Sequence, residues 1–330
     1  MSSAPTSEPA SAAAVIRASG LHKSYGEIAA VRDLSFSVNA GEVIGVLGPN
    51  GAGKTTTINM LTTLIPIDSG TASVGGFDVA TQPQAVRRVV GLAGQSAAVD
   101  EKLTARENLR LFGRFYKIPK VQLNERIETL ITQFRMEDFA DRTAGTYSGG
   151  ERRRLDIVAA LVAEPPALFL DEPTTGLDPR NRTEIWAAIE HLAAAGTAIV
   201  LTTQYLDEAD RLADEIVLID EGQVVARGNP EELKRGLERD LLEMHFATEE
   251  SFQQAKALLH DMIGLASDSE ARLVHVPVGT GARDSLSILR RLDDAGIEIL
   301  DFQLRRPTLD DVFLALTTAP PMDDPQRNSQ

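Results

Sequence analysis

The order of apolar and polar positions divides the chain into two regions. From Val15 to about Gly236, short apolar runs alternate with segments of helical periodicity. The runs "EVIGVLG", "PALFLDE" and "TAIVLTT" are almost continuously apolar or small, as expected for strands covered on both faces. This alternation predicts an α/β fold in which helices pack on a parallel sheet.

Two segments of this region depart from the alternation. Residues 96 to about 161 contain helical periods and no clear strand, which predicts a helical subdomain inserted in the core. The later segment "DEIVLIDEGQVVARG" predicts an edge hairpin turned at Asp220 to Gln223.

After Gly236 three strand-like runs are separated by two helical ones, which predicts a small α+β domain over residues 237–318. The ends of the chain have a different composition. Residues 1–14 are rich in Ser, Ala, Pro and Thr, and residues 319–330 are mostly polar. Both ends are predicted to be disordered tails, because such segments cannot bury enough apolar surface to fold.

Composition narrows the classes of function. The 330 residues are 43 % hydrophobic and carry a net charge of −15, which disfavours direct binding to nucleic acid. Cysteine is absent and the histidines have no ligand spacing, so neither a disulfide framework nor a structural metal site is predicted. No window of about 18 apolar residues occurs, so membrane contact is expected to go through a partner.

A glycine-rich loop carries the first chemical signal. "GPNGAGKTT" fits G-x-x-x-x-G-K-[ST], and it lies between a predicted strand and a predicted helix. Its N–H groups would point inward at a helix N-terminus and bind phosphate, whereas an ordinary glycine-rich turn is disfavoured by this setting. Lys54 is expected to bridge the β- and γ-phosphates and Thr55 to bind Mg²⁺. The predicted phosphate cradle comprises Gly48, Pro49, Asn50, Gly51, Ala52, Gly53, Lys54, Thr55 and Thr56.

Two adjacent acids end a predicted buried strand in "ALFLDEP". In a doubly wound sheet, this end of the strand opens into the ligand crevice. Because neighbouring strand residues face opposite ways, we expect the two acids to have different roles. Asp171 is predicted to hold Mg²⁺ through water, and Glu172 to act as the base that polarises the attacking water.

The segment "YSGGERRRLDIVAALV" predicts a helix that begins with a capping box, Ser148 with Glu151. The same helix N-terminus, preceded by two glycines, can bind a phosphate. The run Arg152 to Arg154 is expected to form a solvated helix face.

With these three motifs, residues 15–236 resemble the nucleotide-binding subunit of ATP-binding cassette (ABC) transporters, a P-loop NTPase cassette. That fold combines a parallel-sheet core, an antiparallel β subdomain and a helical subdomain. Within that family the chain is most similar to the daunorubicin/doxorubicin-resistance type, since "TLDDVFLALT" at 308–317 resembles a segment found after the cassette there. The resemblance implies an ATPase at the cytoplasmic face of the membrane that drives a separate polytopic membrane subunit, with drug or antibiotic efflux as the expected process.

The resemblance also implies a dimer, either of two identical chains or of two related ones. ATP is then held between the cradle of one cassette and the "SGG" segment of the other. Ser148, Gly149 and Gly150 are accordingly expected to contact a nucleotide bound mainly by the partner, and Asp178 to communicate across the dimer.

Two further residues gain a role only through the resemblance. Tyr25 is expected to stack on the adenine, although packing within a strand is the alternative. Gln95 is expected to sense Mg²⁺ and to face the membrane subunit.

Gln204 stands where the resemblance places a histidine that contacts the γ-phosphate. A glutamine amide can donate a hydrogen bond to phosphate, but it cannot become cationic near neutral pH. We therefore expect Gln204 to orient the phosphate and the water, without a histidine-like titration of turnover. The alternative is a degenerate site that binds ATP and hydrolyses it poorly.

Two other classes of function compete with transport. A soluble ABC ATPase acting on DNA is disfavoured because only 94 positions separate Lys54 from Ser148, too few for a long coiled coil. One acting on ribosomes is disfavoured because the chain has a single cassette. A regulatory nucleotide-binding module with little turnover is the third class.

Overall fold

The computed structural model describes residues 14–95, 98–235, 240–262, 266–269, 271–279 and 282–318. The chain divides into two compact units, Met1–Asn229 and Pro230–Gln330. Apart from Ala14, the predicted tails at 1–14 and 319–330 lie outside the described residues, as does the predicted boundary at residue 236. The division between the units falls slightly before that boundary.

The first unit contains strands and helices in alternation. Its strands are β1 (Ile16–Tyr25), β2 (Ile28–Val38), β3 (Val43–Leu47), β4 (Ser69–Val74), β5 (Phe77–Asp78), β6 (Val90–Ala93), β7 (Ala167–Asp171), β8 (Ala198–Thr203), β9 (Glu215–Asp220) and β10 (Gln223–Gly228). Its helices are α1 (Lys54–Leu61), α2 (Pro83–Val89), α3 (Ala105–Phe115), α4 (Lys120–Gln133), α5 (Gly149–Leu161), α6 (Pro179–Ala194) and α7 (Leu206–Leu212).

The central sheet has the order β10-β9-β3-β8-β7-β6, and all its strands except β10 run parallel. The strand β10 pairs antiparallel with β9 at the edge, which confirms the predicted hairpin. Along β7, Leu168 and Leu170 belong to one apolar core and Phe169 to another. Burial on both faces explains why these strands read as nearly continuous apolar runs.

The topology brings four loops together. Because β3, β8, β7 and β6 are parallel neighbours, their carboxyl ends meet at one edge of the sheet. The segments that follow these ends begin at Gly48, Gln204, Glu172 and Gly94. These segments include the predicted cradle, the predicted base Glu172, and both Gln95 and Gln204.

An antiparallel sheet and a group of helices complete the first unit. The sheet has the order β2-β1-β4-β5, and its apolar positions join the same core as Phe169. Helices α3, α4 and α5 pack around the other core, and Thr104 and Glu107 form a capping box that starts α3. The predicted ABC cassette fold, with its three subdomains, is confirmed.

The second unit is an antiparallel sheet with helices. Its elements are α8 (Pro230–Arg235), β11 (Asp240–Phe246), α9 (Glu249–Leu258), β12 (Ala266–Asp268), β13 (Leu273–Val278), α10 (Ala282–Asp294), β14 (Ile299–Arg305) and α11 (Leu309–Thr318). The sheet order is β12-β13-β11-β14, and alternate residues of β11 and β13 pack with α9 and α10. The short strand β12 was not predicted, because three residues are too few to show a period.

Candidate active site

Glycines shape the loop between β3 and α1 because side chains would not fit there. A Cβ atom at Gly48 would lie 2.2 Å from the carbonyl oxygen of Ile219. Gly53 has a φ of +107°, and a Cβ there would lie 2.3 Å from the carbonyl oxygen of Ala30. The loop therefore has the tight curl that the motif predicts, and it leads directly into the N-terminus of α1.

Lys54 lies at the bottom of this loop and is only 4 % exposed. Its ammonium group donates hydrogen bonds to the carbonyl oxygens of Gly48 at 2.8 Å and Pro49 at 3.0 Å. A carboxylate oxygen of Glu172 lies 3.4 Å away. The ammonium thus lies inside the predicted cradle, next to the predicted base.

Glu172 adopts a backbone conformation that is uncommon for its residue type, with a φ of +48°. Its N–H donates to the carbonyl oxygen of Thr202 at 3.0 Å and to the hydroxyl of Thr202 at 3.1 Å. The turn aims the carboxylate at Lys54, while Asp171, the last residue of β7, reaches Thr55. The two acids therefore contact neighbouring residues of α1. Because β7 ends at Asp171, the alternation of strand faces does not apply to Glu172, and the different roles of the two acids stay a prediction.

The residues predicted to hold Mg²⁺ form a chain of contacts. The Thr55 hydroxyl donates to a carboxylate oxygen of Asp171 at 3.3 Å and accepts from the amide of Gln95 at 3.3 Å. The Thr202 hydroxyl donates to the same Asp171 oxygen at 2.5 Å. The cleft beside them has a volume of about 140 Å³ and is lined by Asn50, Gly51, Gly53, Lys54, Thr55, Thr56, Gln95 and Glu172.

The predicted capping box at the start of α5 is present. The Ser148 hydroxyl accepts from the N–H of Glu151 at 3.3 Å, and the Glu151 carboxylate accepts from the N–H of Ser148 at 2.7 Å. Burial opposes ionisation of Glu151, but the hydrogen bonds from Ser148 and the ion pair with Arg142 lower its pKa. Ser148 and Gly149 are exposed, while a Cβ at Gly150 would lie 2.6 Å from the Asn181 side chain.

Arg153 is a residue whose role the sequence did not indicate. Its guanidinium donates to the carbonyl oxygens of Asp171 at 2.9 Å, Pro173 at 2.9 Å and Gly94 at 2.5 Å. Only 13 % of this side chain and 11 % of the Arg154 side chain are exposed, so the expectation of a solvated face is wrong for both arginines. Arg153 ties α5 to the loops that carry Glu172 and Gln95, and burial lowers its pKa.

Four other predicted site residues lie outside the Lys54 cleft. Tyr25 is the last residue of β1 and is 51 % exposed. Gln204 directly follows β8 and is also exposed. Asp178 caps α6 and accepts from the N–H groups of Arg180 and Asn181 at 3.1 Å, while Ser148 starts α5. All four residues are exposed to solvent, although the side chains of Ser148 and Asp178 also cap their helices.

Comparison with known proteins agrees with the geometry. Residues 31–175 match the family described as ABC transporter, and residues 228–317 match the C-terminal domain of DrrA1-3-like ATP-binding proteins. The chain is 46 % identical over 305 residues to the daunorubicin resistance ATP-binding protein DrrA2 of Streptomyces coeruleorubidus, covering 92 % of this chain and 94 % of that protein. It is 45 % identical over 309 residues to the doxorubicin resistance ATP-binding protein DrrA of Mycobacterium tuberculosis H37Rv, covering 91 % and 93 %.

A solved structure supports the same conclusion. The ATP binding subunit of an ABC transporter superposes with a TM-score of 0.62 at 30 % identity, covering 67 % of this chain and 92 % of that one. Among the described residues, no helix is long and apolar enough to cross a membrane. The resemblance inferred from the motifs is confirmed: the chain belongs to the ATP-binding subunits of ABC transporters, among the daunorubicin/doxorubicin resistance ATP-binding proteins, and it is an ATPase.

Proposed function

We propose that two cassettes pair head to tail, hydrolyse ATP and thereby power a separate polytopic membrane protein that exports drug-like molecules. The observation that carries this proposal is the 3.4 Å separation of the Lys54 ammonium and the Glu172 carboxylate in the cradle. In this proposal Lys54 binds the β- and γ-phosphates, and Glu172 accepts a proton from the attacking water. Turnover needs both groups at one phosphate.

The residues around Thr55 fit Mg²⁺. A hydroxyl, an amide and a carboxylate, from Thr55, Gln95 and Asp171, meet on one side of the cleft. Oxygen atoms are the ligands that Mg²⁺ takes, commonly one or two from the protein with the rest from phosphate and water. When bound, Mg²⁺ neutralises phosphate charge, and these three side chains would hold and orient it.

Gln204 supplies a hydrogen bond and no charge. It follows β8, the neighbour of the strand that ends before Glu172, so both residues approach the same edge of the sheet. We assign to its amide the orientation of the γ-phosphate and the water. Proton transfer then falls to Glu172 alone.

Ser148, Gly149 and Gly150 would complete the site of the other chain. They stand at the N-terminus of a 13-residue helix, where N–H groups and the helix dipole favour a phosphate. Asp178 is exposed, and its carboxylate accepts a hydrogen bond from the Asn181 amide. The Asn181 side chain also lies next to Gly150, so Asp178 is close to the start of α5. A head-to-tail pair, of identical or related chains, would use all of these groups.

The contact with the membrane subunit is proposed for a groove whose lining includes Leu92 and Ala98, which lie three positions before and after Gln95 in the sequence. The groove has a volume of about 220 Å³, and its apolar lining includes Leu92 and Phe112 from two subdomains. Leu64 on the same groove is 61 % exposed. A segment of the membrane subunit seated there would hold the chain as a peripheral protein at the cytoplasmic face of the membrane. Drug export is inferred from the names of the relatives.

The test is recovery of the partner. Tagged full-length Glu172→Gln protein is incubated with ATP and isolated from detergent-solubilised native membranes, with a Leu64→Asp version as the matched control. Stoichiometric recovery of one polytopic membrane protein, weakened by Leu64→Asp, supports the proposal. Recovery of ribosomes or DNA-associated proteins indicates the soluble ATPase class, and no partner together with no turnover indicates a regulatory module.

A further inference from the structure

A buried carboxyl group that the proposed chemistry does not use lies in the first turn of α7. Glu208 is 0 % exposed, and one of its oxygens has no hydrogen-bond partner among the described residues. Burial raises the pKa of Glu208, although the neighbouring side chains of Thr203, Trp186 and Thr174 act to lower it. An acid in such a place costs stability, so packing alone does not account for it.

The other oxygen of Glu208 joins three elements. It accepts a hydrogen bond from the Thr174 hydroxyl at 2.8 Å and one from the Trp186 indole N–H at 2.9 Å. Thr174 lies in the loop after β7, Trp186 on α6 and Glu208 on α7. A single carboxyl oxygen therefore links the loop to both helices.

These elements carry the proposed catalytic groups. Thr174 comes two positions after Glu172, and α7 begins two positions after Gln204. A second contact crosses the same junction: the Arg182 guanidinium stacks on the rings of Trp186 and Tyr205, at 5.0 and 4.9 Å from their centroids. Side-chain contacts therefore connect the residues that follow Gln204 with α6 and, through Glu208, with the loop of Glu172.

We propose that Glu208 is a positioning residue that fixes the Gln204 turn relative to the Glu172 loop, so that the amide and the base approach one γ-phosphate together. This inference rests on the proposed ATP hydrolysis. Glu208 lines none of the cradle cleft and is not expected to touch the nucleotide. Small displacements of positioned groups cost catalysis heavily, so the effect should appear in turnover more than in binding.

Kinetics of purified full-length variants test the positioning role. Glu208→Ala is expected to lower kcat about tenfold while KM for ATP stays within about twofold. Glu208→Gln retains an acceptor oxygen for Thr174 and Trp186, and kcat should recover to within about threefold of the parent. Ile189→Ala, at a fully buried position on α6, serves as a control for general loss of stability.

The only tryptophan of the chain gives an independent readout, because Trp186 is itself a partner of Glu208. In the Glu172→Gln background, ATP should change the Trp186 emission as the junction responds to the γ-phosphate. In Glu208→Ala with Glu172→Gln this change should be lost, although a fluorescent ATP analogue still binds. Failure of the parent to hydrolyse ATP would overturn the proposed function, whereas the emission test applies to Glu208 without turnover.

The inference is overturned if Glu208→Ala loses no more kcat than Ile189→Ala, or if Glu208→Gln is as slow as Glu208→Ala. The inference is also overturned if ATP changes the Trp186 emission of Glu208→Ala with Glu172→Gln as much as that of Glu172→Gln alone. Should Glu208→Ala fail to fold, Thr174→Val removes one donor only and is expected to lower kcat about threefold at constant KM. Turnover of Thr174→Val equal to that of the parent then counts against the proposal.

Discussion

The two units each hold a cation against carboxylates in a largely buried place, but the geometry differs. In the cassette, Lys54 has one carboxylate, Glu172, at 3.4 Å and two backbone carbonyls. In the accessory unit, Arg305 donates to Glu243 at 2.9 Å and to both oxygens of Asp311 at 2.5 and 3.0 Å. The arginine is saturated by ionised partners, whereas the lysine is mostly held by neutral ones.

The different partners of Lys54 and Arg305 indicate different roles for the two cations. A guanidinium fork bound to two carboxylates is a fixed cross-link, and here it joins β14 to β11 and to α11. An ammonium group is a compact point charge whose carbonyl partners can be exchanged for phosphate. The Asp311 hydrogen bond raises the pKa of Arg305 despite burial, so this charge persists throughout the working pH range. The cassette pair is arranged for exchange and the accessory pair for stability.

The largest expected effect is on the ATPase rate, and it is predicted for the Lys54–Glu172 pair of the cassette. Glu172→Gln removes the proposed base and should lower the ATPase rate at least about a hundredfold, because general base catalysis contributes at that scale. ATP affinity should change little, since Lys54 and the loop are intact. Turnover by a coupled phosphate assay and binding of a fluorescent ATP analogue measure the two quantities.

The chain provides a matched control for this change. Glu221 also follows a parallel strand, β9, and has a positive φ of +44°, but it does not line the cleft. Glu221→Gln should hydrolyse ATP like the parent. If both variants lose activity equally, the role of Glu172 is structural and the assignment of the base is wrong.

The next effect concerns stability in the accessory unit. Arg305→Met leaves the carboxylates of Glu243 and Asp311 without their cation, and both side chains are less than a fifth exposed. We expect the free energy of unfolding of this unit to fall by about 2 kcal/mol, a value below that of fully buried pairs because Arg305 is partly exposed. Urea denaturation of the full chain measures it, with hydrogen exchange of β14 to identify the unit.

Arg291→Met is the control in the same unit. Arg291 pairs with Asp261 at 3.3 Å, but both side chains are largely exposed, and exposed pairs contribute little. The same decrease for both arginines would show that the fork at Arg305 has no special weight. The ATPase activity at moderate temperature should remain in both variants.

The sequence predicted the parts of this molecule that depend on local pattern. The parallel strands, the edge hairpin, the cradle and the capping box of Ser148 all follow from periodicity or from residues close together in the chain. The Glu172 turn did not, because a positive φ at a glutamate is imposed by its hydrogen bonds to Thr202, thirty positions away. Long-range contacts of this kind leave no mark in the sequence.

Arg153 and Glu208 illustrate the same limit. A run of three arginines after a capping box is typical of a solvated helix face, yet Arg153 turns inward to three carbonyl groups. Glu208 belongs to a short acidic helix start, and its burial depends on Thr174 and Trp186 from other elements. For both residues, contacts with elements distant in the sequence determine that the charged side chain is buried.

A smaller effect is expected for Gln204. Gln204→Ala should lower kcat about tenfold, since it removes the proposed hydrogen bond to the γ-phosphate and leaves the proposed base in place. The pH profile of the parent should show no transition near pH 6.5 from this position, and Gln204→His should introduce one. ATPase assays from pH 5.5 to 8.5 compare the three proteins, and turnover of Gln204→Ala equal to that of the parent would remove the role.

The smallest effect is a pH dependence of the accessory unit. Burial lowers the pKa of His275, and the positive charges of Arg305 and His245 act in the same direction. The carboxylates of Glu243 and Asp311 act to raise it, but the net shift is downward. Its pKa is therefore lower in the folded chain than in the unfolded one, where it is about 6.5. The unfolded chain then binds more protons, so the free energy of unfolding should fall as the pH drops below about 6.5.

The range from pH 7 to pH 5 isolates this histidine from the carboxylates. The pKa values of Glu243 and Asp311 are lowered from values already below 5, so their contribution is lost only in stronger acid. His275→Gln should flatten the slope of unfolding free energy between pH 7 and 5, measured by urea denaturation with hydrogen exchange of β13. His260→Gln, at an exposed histidine, should keep the parent slope. Equal slopes in the parent and His275→Gln would show that the partly buried imidazole does not couple protonation to folding.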